Sequence, residues 1–345
     1  MPSGFKRLRQ AGPLLVGLAG AACGGGSSSP SAPPPPSVPT YSVTATVFYD
    51  ENGNGQLDPS EGARVPGVEV VIGTGTGTSA PGTGLAAVAG IREGALSAGV
   101  RTESMPAYFQ PSPPSSVQVP GTSEVRLPLT LPIGDNNPNL YLGYGDSITA
   151  GEGSSDGQGY VVKLLNLLGP HFARAEVRAQ GRPGTNSAEG ASRTRASMGW
   201  HHPAWVLVHY GTNDWNDLSC QRQVTACFTI DSLRKIVEDF KDGDTLPVLA
   251  TIIPANPALA PSGRNTWYDE MNVHIKALAR EQNVSLADLN ADFKAAGNLP
   301  ALFADQIHPN DAGYQVMAQG WFKAITRARS AAASASPRFG FGLRP

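Results

Sequence analysis

A serine, a histidine and an aspartate in this chain are spaced so that they could act as one chemical unit. The serine is Ser147 in Gly145-Asp146-Ser147-Ile148-Thr149, directly after the apolar run Leu140 to Tyr144. A strand ending there delivers Ser147 to the carboxyl edge of an open α/β sheet, where such sheets take their ligands. The histidine is His308 in Asp305-Gln-Ile-His308-Pro309, and the three-residue spacing lets one turn present Asp305 and His308 to the same cleft. A serine hydroxyl is a weak nucleophile until a base removes its proton, and histidine titrates in the working range. The chemistry open to this set is attack on a carbonyl through a covalent intermediate, with no catalytic cofactor or metal needed. Gly-Asp-Ser alone is also an ordinary turn, so the reading depends on what accompanies it.

Two further segments stand between them in the chain, Gln180-Gly-Arg-Pro-Gly184-Thr-Asn186 and Gly211-Thr-Asn213-Asp214. Taken singly, Gly184 reads as a loop glycine and Asn213 as a turn residue. The four blocks together, in this order, resemble the SGNH or GDSL-type serine hydrolase family over roughly residues 135–330. That resemblance implies Ser147 as nucleophile, His308 as general base and Asp305 as the residue that orients the imidazole. It implies an oxyanion hole made of the backbone N–H groups of Ser147 and Gly184 and the side-chain amide of Asn213. The implied fold is a three-layer αβα, flavodoxin-like domain on a five-stranded parallel sheet, and the implied reaction is carboxylic-ester hydrolysis. Acetylated carbohydrate, lipid and thioester substrates all stay open, because pocket walls lie in loops. Ala179 departs from the family pattern, where an asparagine is common, and concerns loop support rather than the reaction. Asp146 and Asp214 read as loop-holding residues. Trp215 fits a pocket wall or the core, and His201, His202 and His209 fit loop or core positions better than metal ligation.

The elements that must carry these residues show as alternating apolar runs and helical periods after Pro132. Strands are expected at Leu140 to Tyr144, Ala175 to Ala179, Ala204 to Tyr210, Val248 to Ile253 and Val284 to Leu289. Helices are expected at Tyr160 to Leu168, Asp231 to Lys241, Thr266 to Gln282 and Asn310 to Arg327. Residues 41–134 differ in texture. Tyr41 to Tyr49 alternates as a half-buried strand does, Val65 to Ile72, Ser116 to Val119 and Glu124 to Leu131 are also strand-like, and Gly73 to Gly90 reads as a Gly/Thr-rich loop. A small β-sandwich is the expectation for this part.

Within it, Asp50, Asn52, Asn54, Gln56, Asp58 and Glu61 place oxygen-bearing side chains through a twelve-residue loop with Gly55 at its sixth position. This is the pattern of an EF-hand-like calcium loop, although its flanks read as strands. Over residues 41–72 the segment resembles the calcium-binding B-repeat domains of bacterial surface adhesins. An Asx-rich hairpin turn without metal is the alternative.

Lys6, Arg7 and Arg9 precede the apolar run Pro13 to Ala22, which has the form of a signal peptide over residues 1–22 and is too short for a permanent membrane span. Cys23-Gly-Gly-Gly resembles a bacterial lipoprotein processing site, which implies a lipid anchor on Cys23 and a periplasmic or cell-surface location. Residues 23–40, rich in Gly, Ser and Pro, would be the linker, and residues 331–345 a disordered tail. Cys220 and Cys227 would pair in an oxidising compartment, with two buried thiols as the alternative. The chain has 26 basic and 28 acidic residues, and loss of residues 1–22 removes three cations and no acid, leaving −5. No basic stripe accompanies that balance, which excludes an electrostatic nucleic-acid partner. The rival to an esterase is a non-catalytic, calcium-dependent surface-binding lipoprotein that works through its β-module.

Overall fold

The computed structural model of the chain describes residues 38–327. The signal peptide, Cys23, residues 23–37 of the linker and the tail at 331–345 lie outside the described residues. From Tyr41 to Thr130 the chain forms two four-stranded sheets. One has the order β4-β1-β8-β6 and is made of Leu85–Ile91, Tyr41–Tyr49, Glu124–Thr130 and Gln110–Pro111; the other, β3-β2-β5-β7, is made of Gly75–Thr78, Glu69–Ile72, Gly94–Val100 and Ser115–Val119. Alternate residues of these strands point inward, among them Val43, Ala45 and Val47 of β1, Val70 and Ile72 of β2, and Ala86 and Val88 of β4. A period of two on one buried face is what fixes strand register here.

The loop expected over Gly73 to Gly90 is instead largely strand, since it contains β3 and most of β4. Its Gly-Thr-Gly-Thr repeat alternates like any strand, and the glycines are what allow β3 to lie against β4 of the facing sheet. A Cβ on Gly77 would stand 2.5 Å from the Ala87 carbonyl oxygen, and one on Gly75 2.8 Å from Val88 Cγ1. Counting apolar side chains cannot find a strand whose inward face is bare backbone.

Five parallel strands follow, in the order β10-β9-β11-β12-β13: Glu176–Gly181, Asn137–Gly145, Pro203–His209, Leu246–Ala250 and Ser285–Ala287. The chain leaves β9 toward β10 on one side and then crosses to β11 on the other, so the switch point lies between β9 and β11. β11 is buried at every position, as a central parallel strand covered on both faces must be. The covering helices are α1 (Ser147–Ala150), α2 (Val161–Leu168), α3 (Ser187–Ser192), α4 (Thr194–His201), α5 (Leu218–Arg222), α6 (Thr229–Asp242), α7 (Arg264–Glu281), α8 (Leu289–Ala296) and α9 (Asp311–Thr326). Leu233, Ile236, Val237 and Phe240 form the buried stripe of α6 that their spacing predicts. The run Val284 to Leu289 is strand only through Ala287, because the Asp288 carboxylate accepts from Ala291 N–H and starts α8.

The two parts share packing. Buried residues from Val43 through Phe109 and Phe172 to Trp205 and Trp321 form one continuous apolar cluster. The Tyr108 hydroxyl donates to the Pro247 carbonyl of β12 at 2.5 Å and accepts from Ser285 N–H of β13 at 3.0 Å. Phe109 stacks on Phe172 with ring centroids 6.2 Å apart.

Candidate active site

Ser147 opens α1 directly after β9 and is 5% exposed. Asp146 caps this short helix, its Oδ1 accepting from Ile148 N–H at 3.0 Å. Gly181 at the end of β10 pairs with Gly145, and a Cβ there would meet Ala150 N at 2.2 Å and the Asp146 carbonyl oxygen at 2.6 Å. The Ser147 turn is therefore packed backbone against backbone, which no larger residue permits.

Across the cleft, His308 precedes α9. Its Nε2 lies 2.9 Å from Ser147 Oγ and its Nδ1 2.7 Å from Asp305 Oδ2. The other Asp305 oxygen accepts the backbone N–H groups of Ile307 and His308, both at 2.8 Å. Partial burial pushes the Asp305 carboxyl up, but the hydrogen bonds from the His308 ring and these two N–H groups outweigh it and hold it below the usual carboxylate range. An ionised Asp305 favours the tautomer with hydrogen on Nδ1, which leaves Nε2 free to accept from Ser147.

Gly184 lies on the exposed loop after β10 with φ +75°, and Asn213 follows β11. Asn213 Nδ2 donates one hydrogen to the Thr185 carbonyl at 2.9 Å, which ties the two loops together and leaves the second amide hydrogen for a ligand. Asp214 is buried and accepts from Ser187 N–H at 2.9 Å, Ser187 Oγ at 2.6 Å and Thr229 Oγ1 at 2.6 Å. Burial raises its carboxyl, and these donors pull the other way. Through it the β11 loop is fastened to the first turns of α3 and α6.

Two residues near the reacting atoms have no signal in the sequence reading. The Arg193 guanidinium lies beneath the loops, donating to the carbonyls of Gly145 at 2.9 Å and Gln180 at 3.0 Å and to Tyr210 Oη at 2.5 Å, over the Tyr144 ring. One cation thus joins the ends of β9 and β10 to the residue after β11. Glu152 is the second, with Oε2 3.2 Å from His308 Nε2. The remaining histidines serve elsewhere. His209 is buried in β11, where desolvation pushes it down to about 4, His202 ends α4, and His201 Nε2 faces Gln180 Nε2 at 3.3 Å. Trp215 packs edge-on against Trp267 with centroids 6.1 Å apart. Cys220 on α5 and Cys227 are joined by a disulfide.

Asp146 has a consequence for stability. It is fully buried, and desolvation chiefly, with Asp214 adding to it and the Ile148 N–H opposing, pushes its carboxyl up to about 7. A carboxyl raised in the folded state binds a proton that the unfolded chain has released. Its contribution is complete below about 4, the ordinary carboxylate range, and is lost as pH rises through about 7. Asp146→Asn keeps the capping oxygen and removes the titration. The variant should gain stability relative to wild type between pH 4.5 and 7.5, by a few kcal/mol at most. Urea unfolding of both proteins across that range tests this, and a constant difference would refute it.

In the loop from Asp50 to Glu61, the two end carboxylates are 2% exposed. Asp50 accepts from Asn54 N–H and Gly55 N–H, Glu61 from Glu51 N–H and Asp58 N–H, and Asp58 from the Asn52 and Asn54 amides. The amide bonds hold Asp58 below its ordinary value. Among the described residues no Lys or Arg side chain pairs with any of the three carboxylates. These carboxylates, two of them buried, make an oxygen-rich loop without a cation, but among the described residues no group of three or more His, Cys, Asp or Glu converges as a metal site. Asn52 Oδ1 also accepts from Asn54 N–H and Asn54 Oδ1 from Gln56 N–H, so the same residues shape the turn.

The sequence profile of the GDSL-like lipase/acylhydrolase family matches residues 144–316. An acetylxylan esterase from Geobacillus stearothermophilus is 27% identical over 217 residues, which cover 56% of this chain and 95% of that protein. Among solved structures, an acetylxylan esterase from the same organism aligns at 22% identity and a TM-score of 0.45, covering 56% of this chain and 96% of its own. A GDSL-like lipase from Parabacteroides merdae aligns at 21% identity and 0.47, covering 56% and 98%.

Proposed function

Since the chain belongs to the GDSL-like lipase/acylhydrolase family and is a carboxylic ester hydrolase, we propose that it works through Ser147, His308 and Asp305 by an acyl-enzyme route. The observation that carries this is the chain of contacts from Ser147 Oγ to His308 Nε2 at 2.9 Å and from His308 Nδ1 to Asp305 Oδ2 at 2.7 Å. Ser147 Oγ attacks the ester carbon while Nε2 takes its proton, and Asp305 compensates the imidazolium. The charge on the carbonyl oxygen falls to the backbone N–H groups of Ser147 and Gly184 and to the second Asn213 amide hydrogen. Collapse breaks the C–O bond to the alcohol, which leaves with the proton from Nε2. Water then repeats the sequence against the acyl-serine and regenerates Ser147.

The substrate we infer is a short acyl ester of a carbohydrate, supported by the likeness to an acetylxylan esterase. The apolar run at Pro13 to Ala22 and Cys23 support an exported, lipid-anchored protein. A structural calcium would be held by Asp50, Asn52, Asn54, Gln56, Asp58 and Glu61, where it would neutralise carboxylates and take no part in ester cleavage. A fluorophosphonate should label Ser147 and no other serine, and an acetyl, butyryl and long-chain ester panel should show turnover falling with chain length. Labelling unaffected by Ser147→Ala would overturn the residue assignment, and faster long-chain turnover the substrate.

A further inference from the structure

His308 Nε2 has a second neighbour besides Ser147. Glu152 Oε2 lies 3.2 Å from it, on a side chain 47% exposed at the site's edge. The backbone of Glu152 is fixed: its N–H donates to the Ser147 carbonyl at 3.1 Å, and its carbonyl accepts from the Tyr314 hydroxyl at 2.6 Å. In the resting tautomer Nε2 is an acceptor for the Ser147 hydroxyl and has no hydrogen to give Glu152. Among the described residues no Lys, Arg or other side-chain donor faces this carboxylate. It is therefore a charged acceptor, open to solvent and lacking a donor, beside the nitrogen that must protonate the leaving group.

We propose that Glu152 is a specificity-determining residue for the alcohol portion of the ester, selecting alcohols that carry a hydroxyl next to the ester oxygen and rejecting anionic ones. The proposal rests on the roles given above to Ser147 and His308. For His308 to protonate the departing oxygen, that oxygen must come within about 2.6–3.2 Å of Nε2. The Glu152 carboxylate stands at the same range from the same nitrogen, so a hydroxyl on the adjacent carbon reaches it. In acylation the Ser147 Oγ–C bond forms, the C–O bond to the alcohol breaks and the Nε2 proton passes to the alcohol oxygen. The neighbouring hydroxyl keeps its own proton and donates a charge-assisted hydrogen bond to Glu152. A carboxylate on the alcohol would instead meet Glu152 as a like charge. Mono-acylated polyols and sugars with a free vicinal hydroxyl are the matching class.

Three acetate esters test this: 2-hydroxyethyl acetate, 2-methoxyethyl acetate, in which a methyl group replaces the donor hydrogen, and the anionic acetoxyacetate. Wild type should favour the hydroxyethyl over the methoxyethyl ester about tenfold in kcat/KM, the size expected of a hydrogen bond to a charged group. Glu152→Ala should bring that ratio near one. Glu152→Gln, which keeps an acceptor oxygen and loses the charge, should retain part of the ratio while raising acetoxyacetate relative to the neutral esters. Ratios unchanged in both variants, or a uniform loss on all three esters, would overturn the role of Glu152. If wild type cleaves none of the three and Ser147 resists fluorophosphonate, the reading of the triad fails as well.

Discussion

Ser147→Ala and His308→Ala should each lower kcat by on the order of 10⁵-fold, to the rate that oxyanion donors and substrate binding would supply alone. The two losses are alike because the groups act as one unit: without Nε2 at 2.9 Å the hydroxyl keeps its proton, and without Oγ the base has nothing to activate. Combining both changes should therefore cost little more than either. Asp305→Asn should cost less, on the order of 10⁴-fold, for a reason visible in the geometry. One Asp305 oxygen accepts two backbone N–H groups at 2.8 Å, so an asparagine keeps its oxygen there and turns its NH2 toward Nδ1. The imidazole is then driven to carry hydrogen on Nε2, the wrong tautomer for accepting from Ser147. Steady-state rates of the purified variants, with thermal unfolding to show that each is folded, decide the matter. Substantial turnover by Ser147→Ala would refute the assignment.

The site residues named from the sequence are those whose type and local setting both carry information. Ser147 follows an apolar run, Asp305 and His308 are three apart before a helix, and all three meet in the structure. Asn213 and Gly184 were legible only as members of a set, and the hydrogen bond from Asn213 to Thr185 is what brings their loops together. Arg193 was not legible, since its partners are carbonyls of Gly145 and Gln180, which any sequence supplies. Glu152 sits five residues after Ser147, but that spacing reveals nothing until the return of α9 sets His308 against it. For the fold, side-chain periodicity located the parallel strands and the long helices. It missed β3 because glycines supply that strand's inward face, and it missed β4, β5 and β6 and the short helices α1, α3 to α5 and α8 as well. The Asn186 to Glu189 capping box of α3 was written in the sequence as a local signal.

If the Asp50 to Glu61 loop holds the calcium proposed above, chelation should lower the melting temperature of both parts together, and the reason lies at the loop's second position. Glu51 donates its backbone N–H to Glu61 Oε1 at 3.0 Å inside the loop. Its own buried carboxylate points away from the loop toward β9, accepting from Asn139 Nδ2 at 3.0 Å and pairing with Arg174 at 3.2 Å, and Arg174 also donates to the Ser60 carbonyl at 2.6 Å. Asn139 belongs to β9, the strand that leads into the Ser147 turn, so the loop grips the sheet that carries Ser147. An ion that binds the folded loop and not the unfolded chain stabilises it by about 4 kcal/mol at a thousand times its Kd. With one continuous apolar cluster beneath, that energy should be felt by both parts in a single transition. Turnover well below the melting temperature should hardly change, because in the proposed mechanism amide hydrogens, not a metal, meet the charge on the carbonyl oxygen. Calorimetry with and without chelator, in wild type, Asp50→Ala and Glu51→Ala, separates the steps. Asp50→Ala should abolish the calcium shift, and Glu51→Ala should preserve calcium binding while splitting the transition or weakening its response. A melting temperature indifferent to calcium in wild type would reduce the loop to a turn, and immediate loss of turnover on chelation at low temperature would place the metal within the chemistry.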